Sequence, residues 1–294
     1  MDKVSEHIVT ESSSQRIADY LIGVFHQLPS KSSIRKAIKA KRITINHQIA
    51  ATATIPSKGD VISYFNQVSK IKPYPLEVPV IYEDEYYVIV NKPAGLPTSG
   101  NLFRTSEAAL AHTHFQTTDS NKLSSPRPAH RLDSLTSGLL IAAKSNEALL
   151  LINKLFEQGG IQKTYQALVM GQTPESGNWE SIIDGKVAKT SFRKLSTVRS
   201  LKNDELTLLE LSPKTGRTHQ LRIHCSEAGF PIYGDPLYAD NTIKHKGLFL
   251  SSVRLEFTHP VTLEPLEIQI ELPSKFHNRM NNEQKRWERK NGNH

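Results

Sequence analysis

The stretch HRLDSLTSGLLIAAK, residues 130–144, crowds His130, Arg131 and Asp133 into four positions, adds Thr136, Ser137 and Gly138, and then turns wholly apolar. Charge set against a strand-like apolar run is costly to fold unless it is paired or used. The pattern is that of a site. A lone aspartate before a strand is ordinarily a turn former, and glycoside hydrolysis would require a second carboxylate across the bond, which this motif lacks. His219 and His224 lie five residues apart, which is not the i, i+4 spacing of a helical zinc pair. His112 and His114 form an HTH pair, a weak metal signal read here as a loop or helix start. The single cysteine, Cys225, excludes an internal disulfide framework and a thiolate-rich metal centre. No metal is expected.

The 294 residues, 37% of them hydrophobic, suffice for one large domain or for a large and a small one. Near the motif the longest apolar run, LLIAA, is far below the ~20 residues of a membrane span, and the segment MDKVSEHIVT has no apolar signal core. A soluble, cytoplasmic protein without membrane contact is expected. A formal charge of +8 suggests an anionic partner.

That charge is unevenly spread. Residues 12–28, SSSQRIADYLIGVFHQL, place Ile17, Tyr20, Leu21, Val24, Phe25 and Leu28 on one helical stripe, with Ser12 and Gln15 as a capping box. The next run carries Lys31, Arg35, Lys36, Lys39, Lys41 and Arg42 with no acid among them, over an apolar stripe of Ile34, Ala37 and Ile38. Ile43 and Ile45 then lead into an Asn46-His47 turn, and Lys58-Gly59-Asp60 precedes a strand-like VISYF. A charge run is often only a solvated helix face. Here two short helices, RITIN and a late GDVI strand resemble a small α/β RNA-binding domain of the ribosomal S-four type over residues 13–66. Residues 67–76, with two prolines and no period, read as a linker.

Beyond it, VIYEDEYYVIV reads as two strands around an acidic turn, with Val88, Ile89 and Val90 buried on both faces. After the charged motif, LLIAAK is a central strand, Ser145 caps a helix with Leu149, Ile152, Leu155 and Phe156 inward, and Gly159-Gly160 ends it. IQKTYQALVMG returns as a strand carrying Tyr165. THQLRIHCSEAG is a short helix, capped by Thr218, with Leu221, Cys225 and Ala228 in its core. Arg222 lies at the edge of that burial, where a guanidinium needs a carboxylate.

The motifs NKPAG, HRLD with TSGLL, KTYQALV and TGRTHQLRIH resemble, in order and spacing, the RluA-type pseudouridine synthase family over residues 77–275. The resemblance implies an α+β fold with a mixed, largely antiparallel sheet, and an enzyme that isomerises uridines of structured ribosomal or transfer RNA without a cofactor. That reaction breaks the uracil N1 to ribose C1′ bond, turns the base and rejoins it through C5. It needs an anionic oxygen near C1′, as nucleophile or as base towards the ribose. The resemblance gives this role to Asp133, the stabilising cation to Arg222, and the aromatic support of the turning base to Tyr165, whose hydroxyl could also help remove the C5 proton. It makes Arg131 the side chain that fills the gap left by an extruded uridine.

Three departures bear on substrate choice rather than reaction. Ser251-Ser252 stands where the family often has His-Ala, PTSG follows the first motif in place of HPG, and the stretch Gly171–Gly185 is short where relatives often carry a basic insertion. The competing reading is a non-catalytic RNA-binding or ribosome-assembly protein on the same scaffold. Residues 276–294 read as a polar charged tail, a frayed helix or disordered, with RNA contact through Lys285, Arg286, Arg289 and Lys290 at most. Oligomeric state is not fixed by the sequence, and a monomer is the simplest expectation.

Overall fold

The computed structural model describes residues 3–65, 71–113, 115–118, 122–239 and 247–291. Residues 66–70 of the expected domain end and linker, His114, and the last three residues of the tail lie outside the described residues. The chain divides into two compact units, one of residues 1–71 together with 120–124, the other of residues 72–119 and 125–294, so that the first residues of the strand at 122–128 fall with the first unit. No described helix is long and apolar enough to cross a membrane.

In the first unit the order is β1 (Lys3–Ile8), α1 (Ile17–Tyr20), α2 (Lys31–Lys39), β2 (Ile43–Ile45), β3 (Gln48–Ile49) and β4 (Val61–Phe65). The strands form one sheet in the order β1-β4-β2-β3. The helix expected over residues 12–28 is only four residues long, because the chain turns at Gly23, φ 81°, a left-handed backbone suited to glycine. Its apolar stripe is buried nonetheless, with Leu21, Phe25 and Leu28 in the unit's core. The expected capping box is absent: Arg16 is the N-cap, without a side-chain bond, and the Gln15 amide donates to Ser13 Oγ instead. In α2, by contrast, Ser30 caps reciprocally with Ser33 while Ile34, Ala37 and Ile38 face inward. Asn46 and His47 both take positive φ, as a tight primed hairpin turn between β2 and β3 requires.

The second unit runs β5 (Val80–Glu83), β6 (Tyr87–Lys92), α3 (Ser106–Leu110), β7 (Lys122–Pro128), β8 (Ser137–Ser145), α4 (Asn146–Glu157), β9 (Gln162–Met170), β10 (Ser176–Ile183), β11 (Lys186–Ser200), β12 (Asp204–Pro213), α5 (Gln220–Glu227), β13 (Leu250–Thr258), β14 (Pro265–Gln269) and α6 (Lys275–Asn291). Its sheet has the path β10-β11-β12-β9-β13-β8-β6-β5, with β14 on β13 and β7 on β8. Every register along it is antiparallel except the short parallel contact of β13 with β8. This is the mixed, largely antiparallel α+β architecture that the sequence implied.

Central strands are apolar on both faces. Val88, Val90, Leu140 and Ala142 enter one core, while Tyr87, Ile89, Leu139, Ile141 and Ala143 enter a second one with Ala148 and Ile152 of α4. Ser145 caps α4 by accepting from the Ala148 amide, as expected. Of the two readings of the tail the helix is the one observed, and it is packed rather than frayed. The tail forms the seventeen-residue α6, which buries Phe276, Met280 and Glu283. Its high charge masks an i, i+4 apolar pair, and Glu283 is held by Arg279, Arg286 and the Ser200 hydroxyl, so the polar composition did not preclude packing.

Candidate active site

Asp133 sits in the loop between β7 and β8, and the start of β8 is fixed by an unusually close backbone approach. Gly138 has φ 112°, and a Cβ there would lie 2.1 Å from the carbonyl oxygen of Ser252 on β13. Only glycine permits that contact. Beside it, the Ser137 hydroxyl donates to Ser251 Oγ at 3.2 Å, so the small Ser251-Ser252 pair completes the crossing of the two strands.

A second set of bonds holds the loop from the other side. The fully buried Lys92 ammonium donates to the carbonyls of Pro93, Leu96 and Ser134 at 3.0, 2.8 and 3.2 Å. The Leu132 amide donates to Thr98 Oγ1 and the Thr98 hydroxyl to the Leu132 carbonyl, at 3.0 and 2.8 Å. Burial pushes the Lys92 ammonium down to about 8, with the Asp133 charge opposing it. Lys92 of the NKPAG motif and Thr98 of the PTSG stretch that follows it therefore clamp the two neighbours of Asp133, Ser134 and Leu132, a role that local sequence carries no signal for. His130 accepts the Ile141 amide on Nε2 at 3.1 Å and packs its ring on Phe156. Burial pushes this imidazole down to about 3, reinforced by the Lys163 charge, so it is a neutral packing residue.

Arg222, Asp133 and Tyr165 share one cavity of about 810 Å³, lined also by Arg131, Lys163, Lys214, Arg217 and His219. Arg222 is buried rather than at the edge of burial, and its fork does not face Asp133 as expected. Nε and Nη2 each lie 2.7 Å from the two oxygens of Asp235, whose side chain has no exposed surface. Nη1 remains for Asp133, 3.5 Å from Oδ2. Burial alone would lower the Arg222 pKa, but the carboxylates outweigh it and raise it, Asp235 foremost. Burial likewise would raise Asp235, and the guanidinium with the Leu237 and Tyr238 amides overcomes that to hold it below the usual range. A buried fork needs this second carboxylate. Sequence reading missed Asp235, whose GDPLY setting carries no chemical signal until the fold brings it to α5.

Tyr165 stands on β9 opposite Ser252 of β13. Burial pushes its phenol up to about 12; the Ser252 hydroxyl partly offsets this and the Asp133 charge adds to it. It therefore keeps its proton at neutral pH, which suits an aromatic platform better than a base. Arg131 is exposed at the cavity wall. His219, expected as an ordinary helix-end residue, is the actual N-cap of α5 in place of Thr218, and its Nε2 lies 3.9 Å from Asp133 Oδ2.

In the first unit the cations divide. Arg35, Lys36, Lys39 and Lys41 are exposed. Lys31 is paired with Asp19, so the basic run does have a counter-charge, from α1. Arg42 donates from Nη1 to the Tyr64 hydroxyl at 3.0 Å and lies over its ring.

A family model described as RNA pseudouridylate synthase matches residues 86–227. The ribosomal large subunit pseudouridine synthase C of Vibrio parahaemolyticus is 30% identical over 311 residues, covering 90% of this chain and 92% of that protein. An uncharacterized RNA pseudouridine synthase of Bacillus subtilis is 29% identical over 306 residues, covering 93% and 95% of the two chains. Among solved structures, human RNA pseudouridylate synthase domain containing 1 superposes with a TM-score of 0.57 at 23% identity, over 71% of this chain and 89% of that one. Human RNA pseudouridylate synthase domain containing 4 gives 0.56 at 24%, over 69% and 93%. These two likenesses concern the fold.

Proposed function

The chain belongs to the RNA pseudouridylate synthase family, whose reaction is the isomerisation of uridine in RNA to pseudouridine, and on that premise we propose that Asp133 performs the chemistry with Arg222 and Tyr165 beside it. The observation that carries the reading is the Arg222 guanidinium, buried and locked by Asp235, with its free nitrogen 3.5 Å from Asp133 in the cavity that also holds Tyr165. A fixed cation there sets a positive charge beside the group that acts as the anion.

Asp133 supplies the anionic oxygen at C1′, either adding to that carbon or acting as base towards the ribose, while the N1 to C1′ bond breaks. The freed uracil turns against the Tyr165 ring and reattaches to C1′ through C5, which expels the carboxylate where it had added to C1′, or is accompanied by return of the ribose proton where it had acted as base. The C5 proton leaves and N1 gains one, so product and substrate are isomers and nothing is oxidised. Tyr165, whose phenol burial pushes further up, to about 12, supports the base with its ring. Arg131 fills the stack that the extruded uridine vacates.

The substrate is structured RNA, and the names of the Vibrio relatives favour large-subunit ribosomal RNA over transfer RNA. The first unit is read as an S-four-type RNA-binding domain that offers Arg35, Lys36, Lys39 and Lys41 to phosphates, where affinity comes without much sequence choice. Lys31 and Arg42, engaged within the unit, contribute less. Carbodiimide mapping of pseudouridine in total RNA from cells with and without the gene tests the substrate. A reverse-transcription stop in large-subunit ribosomal RNA that vanishes with the gene supports the assignment; a stop lost only from transfer RNA redirects it. An unchanged map together with no turnover on any RNA would favour the non-catalytic scaffold.

A further inference from the structure

We propose that His219 is a positioning residue for Asp133 and that the Tyr238 hydroxyl orients it. The inference rests on the reading of Asp133 as the catalytic group. His219 adopts φ 55° and ψ 17° at the start of α5. That left-handed region is uncommon for non-glycine residues, histidine entering it more readily than most, and at the start of α5 it fixes the direction of the side chain. Here it sets the imidazole between two partners. Nδ1 lies 3.0 Å from the Tyr238 hydroxyl, and Nε2 lies 3.9 Å from Asp133 Oδ2.

Tyr238 is itself held from several sides. Its ring meets the imidazole edge-on at 5.7 Å and 80°, and the Arg222 guanidinium lies over its face at 5.1 Å. Its amide donates to Asp235 Oδ1 at 3.2 Å, and its carbonyl accepts from the Ser226 hydroxyl at 2.9 Å. Asp235 thus orients both Arg222 and the residue that orients His219. When Nδ1 accepts the phenol proton, the neutral ring carries its own proton on Nε2, the nitrogen turned towards Asp133.

Two donors then converge on one oxygen. Arg222 Nη1 and His219 Nε2 both approach Oδ2, which leaves Oδ1 to face the ribose. At 3.5 and 3.9 Å neither contact is a tight hydrogen bond; catalytic contacts that are long without substrate shorten when it binds, and two such donors then leave the carboxylate one rotamer for attack.

The experiment compares His219→Gly and Tyr238→Phe with wild type in single-turnover tritium release from C5-labelled uridine RNA, alongside RNA affinity and thermal stability. Glycine accepts the left-handed backbone while removing the imidazole. The expected result for His219→Gly is turnover lower by about 10-fold at saturating RNA, with affinity within about twofold, and partial recovery in buffer containing imidazole, which a misaligned carboxylate predicts. Tyr238→Phe keeps the ring over which Arg222 lies and should lower turnover by about threefold without an imidazole response. Loss of turnover and affinity in proportion, absence of imidazole recovery, or wild-type turnover in both variants would overturn the proposal. Should His219→Gly not fold, Tyr238→Phe decides alone, and unchanged turnover in it is the contrary result. Asp133→Asn run in parallel separates the two readings: activity there sinks the site itself, whereas an inactive Asp133→Asn beside an unaffected His219→Gly sinks only the positioning role.

Discussion

Arg222 commits its planar fork to Asp235 and reaches Asp133 with the remaining nitrogen, so one side chain is the internal counter-charge and, in the function proposed above, the cation beside the reacting group. Arg222→Lys is therefore far from conservative: a point charge on a flexible stem cannot bond Asp235 in two places and Asp133 in a third. Turnover and stability should fall together. Arg222→Ala, which strands the Asp235 carboxylate, should cost about 3–5 kcal/mol in urea unfolding, and a variant as stable and active as wild type would contradict the geometry. His130 offers a separate check through pH. Its folded-state pKa is depressed from the ordinary histidine value to about 3, so below about 6.5 the unfolded chain binds a proton that the folded chain refuses. Stability from this residue is therefore fully present above 6.5 and declines as pH falls towards 3. Compared with His130→Gln, wild type should lose up to about 1.4 kcal/mol more per pH unit in that window, measured by denaturant unfolding at pH 6, 5 and 4.

Elements, more than single side chains, decide where Asp133 points. The crossing of β8 and β13 needs Gly138 against the Ser252 carbonyl, and Gly138→Ala combines a steric clash with a positive φ. We expect a loss of more than about 1 kcal/mol and a disproportionate fall in turnover, read by thermal unfolding and tritium release side by side; an alanine variant with wild-type values would show that the strands part easily. The sequence carried much of this level. The apolar runs of β6 and β8, the Ser145 cap and the Tyr165 strand were legible because each rests on local chemistry or short periodicity. Contacts across the chain were not. Asp235 reaches Arg222 over thirteen residues, Lys92 reaches Ser134 over forty-two, and neither pairing leaves a local trace. The helix over residues 12–28 was over-read because a helical stripe of apolar residues remains buried even where Gly23 turns the chain. The helix α6 was under-read because its charge hides Phe276 and Met280.

For the whole molecule the question is how a basic first unit and a catalytic second unit share the work on RNA. The exposed Arg35, Lys36, Lys39 and Lys41 predict phosphate contacts whose loss changes affinity more than chemistry. Replacing all four with alanine should weaken RNA binding and flatten the dependence of log affinity on log salt by about 0.7–0.9 per lost contact, while saturating RNA restores most of the rate. An unchanged salt slope would leave these residues a solvated face; normal binding with a rate that stays low at saturation would make the unit part of uridine positioning.

The central claim, that the Asp133 carboxylate performs the isomerisation, is tested most directly by Asp133→Asn. The amide is nearly isosteric but cannot act as an anion. We predict unchanged unfolding and RNA affinity, with tritium release from C5-labelled uridine RNA reduced to background. Residual turnover within about tenfold of wild type, equivalent to only about 1.4 kcal/mol of the activation barrier, would contradict the account.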